Sequence, residues 1–289
     1  MESHARRRLS GILAAAALAG ISVSGIAWAK AGRVEQSGVF ALLGGAPKVL
    51  SKFWADHPNG LSATLKVRQF RLDGKTPILD YDVDMEHVMH MIVVRDDFAT
   101  FAHLHPDFDT QTGTFWQQFS KEPNHRYYVY ADSIPHGLAQ QVFRFTLESA
   151  GPVAKFPPAS GPSTPTVPAG PYTVTLSKTM LPANQPKSLN VTVLAGGQPA
   201  RDLGPYLGAA AHVVFINTST LAYVHVHPMV RKRNSTNADT SMEMGIGAKA
   251  GPFMQMKLPA LPAGVYKVWI QFVGGADNVY TAPFTILVR

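Results

Sequence analysis

Six of the eleven histidines fall into two sets that share one spacing. His90 is followed thirteen residues later by His103, then by His105 and Pro106. His212 is followed thirteen residues later by His225, then by His227 and Pro228. Three neutral imidazoles converging on one point suit Zn²⁺, Cu²⁺ or Ni²⁺. The chain has no cysteine, so any metal site must draw on His, Met, Asp or Glu. A structural role competes with this reading. Duplicated domains keep what their ancestor had, and a histidine at a strand end can simply hydrogen-bond a carbonyl.

The two sets have unequal surroundings. Just before His90 stand His87 and Met89, with Asp84 and Glu86 beside them, and His136 follows in a later turn; Ala209 occupies the position matching His87. The second half instead has sixteen more residues between Pro228 and Gly251 than the first has between Pro106 and Gly113. That insertion contains Met242 and Met244, a Met-x-Met pair in a polar segment. Thioether beside imidazole favours copper over zinc, Cu⁺ above all. Met254 and Met256 are read differently, because MQMKL alternates apolar and polar residues as a half-buried strand does.

The positioning elements are strands. Residues i and i+2 of a strand share a face, so His103 projects with His105 and His225 with His227. HMIVV, a turn at Arg95–Phe98 and TFAHLH predict a hairpin that brings His90 opposite residues 103–105. Asn217–Ser219 predicts the same turn for His212 and residues 225–227. Directly paired Cβ atoms lie about 4.5–5.5 Å apart, close enough for imidazoles to meet. Register decides the outcome, since a slip of one residue turns His90 to the other face.

The likeness extends beyond the histidines. Pro77 and Asp80 precede His90 as Pro199 and Asp202 precede His212. Downstream, Gly113-x-Phe115 matches Gly251-x-Phe253, Tyr128 matches Tyr266, and VFRFTLE and APFTILV close the two halves. An internal duplication follows, with repeats at 58–150 and 171–289 and a Pro-rich linker over 151–170. Residues 30–57 are left as a leader of uncertain structure, in which VFALLGGAPKVLSKFWADH could form a short helix. Short β-branched and aromatic segments broken by turn residues predict an all-β chain. Its two tandem sandwiches are expected to be immunoglobulin-like, or alternatively cupredoxin-like.

Residues 1–29 read as a signal peptide: Arg6–Arg8, an apolar stretch, then the small-x-small sequence Ala27-Trp28-Ala29. An uncleaved N-terminal anchor is the alternative. Export implies a periplasmic or extracellular location. Removing residues 1–29 leaves 23 basic and 18 acidic residues, a formal charge of +5. This mild excess is spread along the chain, which argues against nucleic acid as a partner. No Gly-x-Ser-x-Gly, His-Glu-x-x-His or phosphate-binding glycine loop is present, and an enzyme is not expected.

HMIVVRDDFATFAHLHPDF followed by Gly-x-Phe and a Tyr-rich strand resembles a pattern in exported bacterial proteins of largely unknown function. Their tandem domains are immunoglobulin- or cupredoxin-like, and they are often described as heavy-metal- or copper-associated. GAAAHVVFI, YVHVHP and TAPFTILV look like the same pattern. The resemblance covers both halves but neither the linker nor residues 30–57. It implies the six repeat-matched histidines as ligands, while His87, Met242 and Met244 are further candidates from the residues themselves. The expected function is envelope metal binding, in buffering, delivery or resistance, with copper as the ion and zinc as the alternative. Another envelope protein could be a partner. The competing expectation is a tandem interaction module whose histidines are structural.

Overall fold

The computed structural model describes residues 35–58, 60–149, 151–152, 161–231 and 250–289. Strands and turns account for their regular structure, and no helix occurs among them. The proposed signal segment, Met242 and Met244 lie outside the described residues.

Each half is an immunoglobulin-like sandwich of two sheets. In the first half one sheet runs in the order Gln36–Ser37, Leu50–Asp56, Ser62–Phe70, Thr114–Ser120, Asp107–Asp109. The other runs Val39–Phe40, Gln141–Glu148, Arg126–Pro135, Met89–Arg95, Phe101–Leu104. Side chains alternate along Ser62–Phe70, with Ala63, Leu65 and Val67 buried between the sheets. The second half repeats this plan. Its histidine-bearing sheet runs Met180–Leu181, Asn278–Val288, Gly264–Gly274, His212–Asn217, Tyr223–Val226. Met254 and Met256 are 1% and 0% exposed in its core, as their alternation predicts.

Residues 36–56, set apart in the sequence reading, belong to the first sandwich. They supply strands rather than a helix, and Leu50–Asp56 pairs along its length with Ser62–Phe70. The apolar residues Val49, Phe53 and Trp54 have no sustained helical period, and the first two close the core. The second sandwich likewise begins inside the expected linker, at Thr166–Ala169, which pairs with Tyr172–Leu176.

The two histidine-bearing sheets pack against each other, within one body spanning Arg33–Arg289. Besides the two intra-sandwich cores there is a third apolar cluster between the halves, including Ile92, Val94, Tyr130, Val214, Ile216, Tyr223 and Trp269. Contacts across it are reciprocal, as at a twofold interface. Phe101 stacks on Trp269 with centroids 4.8 Å apart, and the repeat-equivalent pair Tyr223 and Tyr130 stacks at 5.1 Å. Met89–Arg95 and His212–Asn217 are therefore covered on both faces. Their unbroken apolar runs IVV and VVFI are what such a strand requires.

Candidate metal centre

The hairpins form as their turns predict, and their register places the histidines on the faces that meet. Ile92 pairs with His103 and Val214 with His225. Extending each ladder by one step aligns His90 with His105 and His212 with His227. Ile92 and Val94 share the face of His90 and lie between the halves, whereas Met91 and Val93 point into the first sandwich. All six repeat-matched histidines thus point toward the contact between the repeats.

Four of them form an almost regular tetrahedron. The six centroid separations among His90, His103, His212 and His225 all lie between 5.1 and 5.7 Å. A regular tetrahedron of that edge has its centre roughly 3.3 Å from each corner. The ring nitrogens do not all meet at that centre: His90 falls outside the group in which those of His103, His212 and His225 lie within 4.8 Å of one another, so an ion held by all four would draw His90 inward.

The outer nitrogens are each tied to an acceptor. His90 Nε2 lies 2.9 Å from the Asp84 carbonyl oxygen, and His212 Nε2 lies 3.2 Å from that of Tyr206. A carbonyl only accepts, so both Nε2 atoms carry hydrogen and both Nδ1 atoms present lone pairs. His103 Nδ1 faces Gln271 Oε1 at 3.0 Å, and His225 Nδ1 faces Asp132 Oδ2 at 3.3 Å. Where both partners accept, the His103 and His225 lone pairs lie on Nε2. The inner nitrogens meet at hydrogen-bond distance, 2.9 Å for His90 and His103 and 3.1 Å for His212 and His225, with the donor in each pair set by the tautomer. Two ligands of a tetrahedral ion with about 2.0–2.1 Å bonds sit about 3.3–3.4 Å apart. A cation held between the inner nitrogens would take the place of these hydrogen bonds, with each pair opening by a few tenths of an ångström. Anchoring the outer N–H of a ligand histidine on a carbonyl or carboxylate is also how metal sites orient imidazole.

Asp132 and Gln271 were missed in the sequence reading. They are repeat equivalents, paired with His90 and His212 respectively, and each reaches the other half's histidine. The count that matched Tyr128 to Tyr266 is off by one: Tyr127 pairs with Arg95 as Tyr266 pairs with Asn217. With that shift, Asp132 of YVYAD and Gln271 of VWIQF coincide, a polar residue in an apolar strand in both copies.

Electrostatics sharpens the case. Burial holds His103 and His225 well below the usual histidine range, with the neighbouring imidazoles adding to it. Burial, with His225, His227 and His90, depresses His212 too. Asp132, buried beside them, is raised by burial although Gln140 and Tyr223 donate to it. A carboxyl buried in this way either takes up a proton or stays ionised beside a positive charge. No Lys or Arg pairs with Asp132 among the described residues, and neutral imidazoles cannot supply that charge. A bound cation can.

His105 and His227 flank the tetrahedron. Their Nε2 atoms are buried without a hydrogen-bond partner. Burial, with His87 and His90, pushes His105 down to about 3. Ring nitrogens of His90, His103 and His105 lie within 4.8 Å of one another, as do those of His103, His212 and His225. His87 stacks on His105 at 3.9 Å. His136 sits elsewhere, 2.7 Å from Asp82.

A family model for a domain of unknown function, DUF8832, matches residues 166–289. No curated protein matches the chain. Among solved structures, a two-domain fibronectin type-III segment of chicken tenascin is 12% identical, with 82% of this chain and 97% of that one covered and a TM-score of 0.23. A marsupial T cell receptor is 13% identical over 88% of this chain and 72% of that one, with a TM-score of 0.20. Squid arrestin is 9% identical over 82% and 98%, at 0.19. These likenesses are too distant to bear on function.

Proposed function

We propose that this is an exported, non-catalytic metal-binding protein of the cell envelope that holds one ion between its two repeats. The observation that carries the reading is the packing of His90, His103, His212 and His225 at the corners of a tetrahedron, with an outer nitrogen of each ring held against an oxygen. Four protein ligands leave no open coordination position, which suits buffering, delivery or resistance better than catalysis. All-nitrogen tetrahedral coordination favours a d¹⁰ ion: Cu⁺ if the protein handles copper, with Zn²⁺ as the alternative. Either ion would favour the ionised form of buried Asp132.

A second reading has one observation in its favour. The aromatic contacts Phe101–Trp269 and Tyr130–Tyr223 join the halves without any ion, so the chain could act as a rigid tandem interaction module. Competition titrations of purified protein with Cu⁺, Cu²⁺ and Zn²⁺ separate the two. Metal handling predicts one tight site per chain for at least one of these ions. Equally weak binding of all three, unchanged in a His90/His103/His105 triple alanine variant, would leave the module.

A further inference from the structure

The site has two sides, and they are built differently. On the first-repeat side the turn Asp84–His87 is closed by reciprocal backbone hydrogen bonds of 2.9 and 3.0 Å. Its two central residues, Met85 and Glu86, have φ of 44° and 72°. Neither is glycine, and each left-handed residue costs on the order of 1 kcal/mol or more, a strain that persists where the surroundings enforce it. The matching turn Tyr206–Ala209 uses Gly208 at its second left-handed position. The first turn rests against the second, and a Cβ placed on Gly208 would lie 3.6 Å from Glu86 Oε1.

The strained turn sets the His87 ring on His105, 3.9 Å between centroids and 16° from parallel. His105 then approaches His90 and His103 at 5.1 and 4.7 Å. A file of imidazoles therefore runs from the partly exposed His87 into the tetrahedron. The second repeat offers buried Ala209 instead, and His227 joins neither group of converging nitrogens. Glu86, exposed beside His87, acts on that ring electrostatically, and a carboxylate at the mouth of the file raises the local concentration of cations.

Building on the metal-binding reading, we propose that the first repeat carries an outer ion position. It is formed by His105 with His90 and His103, beside His87, and it loads the inner centre by ligand exchange. His90 and His103 belong to both positions, so the two are filled in turn. As the ion moves inward, its bond to His105 breaks while bonds to His212 and His225 form. Charge and oxidation state are unchanged.

Stopped-flow uptake of Zn²⁺, read by a chromophoric chelator, tests the route with equilibrium affinity measured in parallel. His87→Ala and His105→Ala are expected to slow uptake at least tenfold, with a smaller change in Kd. His227→Ala should stay within twofold of the wild-type rate. Because His87 is partly exposed, its variant keeps the test open even if His105→Ala folds poorly. Wild-type rates in His87→Ala, or equal slowing in His227→Ala, would overturn the route alone. A wild-type protein that takes up no Zn²⁺, and no Cu⁺ in the equilibrium titration, would overturn both the route and the metal-binding reading.

Discussion

The two repeats agree where they touch and diverge at the rim. Both contribute a hairpin, two imidazoles to the tetrahedron, a backbone carbonyl beneath the first imidazole, and an aromatic stacked across the interface. Shared geometry of this kind belongs to the assembly of one joint centre. The differences concern charge and access. Buried Asp132 reaches across from the first repeat where the second offers neutral Gln271. His87 sits on its histidine file where the second repeat has Ala209. On the proposed reading, one copy would supply the charge and the approach, and the other would complete the cage.

The largest effect is expected where the comparison is closest. Trp269→Ala removes the stacking partner of Phe101 from a position only 2% exposed and should cost about 3–5 kcal/mol of stability by denaturant titration. Next, His103→Ala and His225→Ala should each weaken ion binding by several hundredfold, because about 10–16 kcal/mol of binding energy is shared among four ligands. Both losses should be of that order, the greater for His225, which has the carboxylate partner Asp132 where His103 has Gln271. Asp132→Asn should then cost about 10–100-fold in affinity, the usual effect of losing an outer partner of a ligand histidine. Gln271→Ala should cost less, and Gln271→Glu should tighten binding by giving His103 the carboxylate that His225 has. The smallest effect near neutrality is that of pH. His103, His105, His212 and His225 have lowered folded-state values, so the unfolded chain binds more protons below about 6.5. Stability of the ion-free protein should therefore be complete above that pH and fall progressively towards pH 3 in thermal melts.

Much of this was legible in the residues. Duplication, all-β class, hairpins and the shared face of His103 and His105 follow from spacing and period-two alternation. Register was left open, because the turns at Arg95–Phe98 and Asn217–Ser219 allow a slip of one residue that would turn His90 to the other face; the pairing of Ile92 with His103 and of Val214 with His225 fixes it. The meeting of the two hairpins was not read, although a signal existed: strands covered on one face alternate, and IVV and VVFI do not. Asp132 and Gln271 were hidden for a different reason. Their role depends on contacts over 168 and 93 residues of separation, which no local pattern encodes. The strands of residues 36–56 were obscured because Gly44, Gly45 and Pro47 break the segment into pieces too short to show alternation.

The central claim is that one ion is shared by both repeats. The most direct test is the ratio of tightly bound ion to protein in the wild type and in His103→Ala and His225→Ala, after exhaustive dialysis against a weak chelator. A shared centre predicts one ion per wild-type chain and close to none in either variant. Two ions in the wild type, with one retained in each variant, would mean that each repeat binds its own ion and would contradict the account.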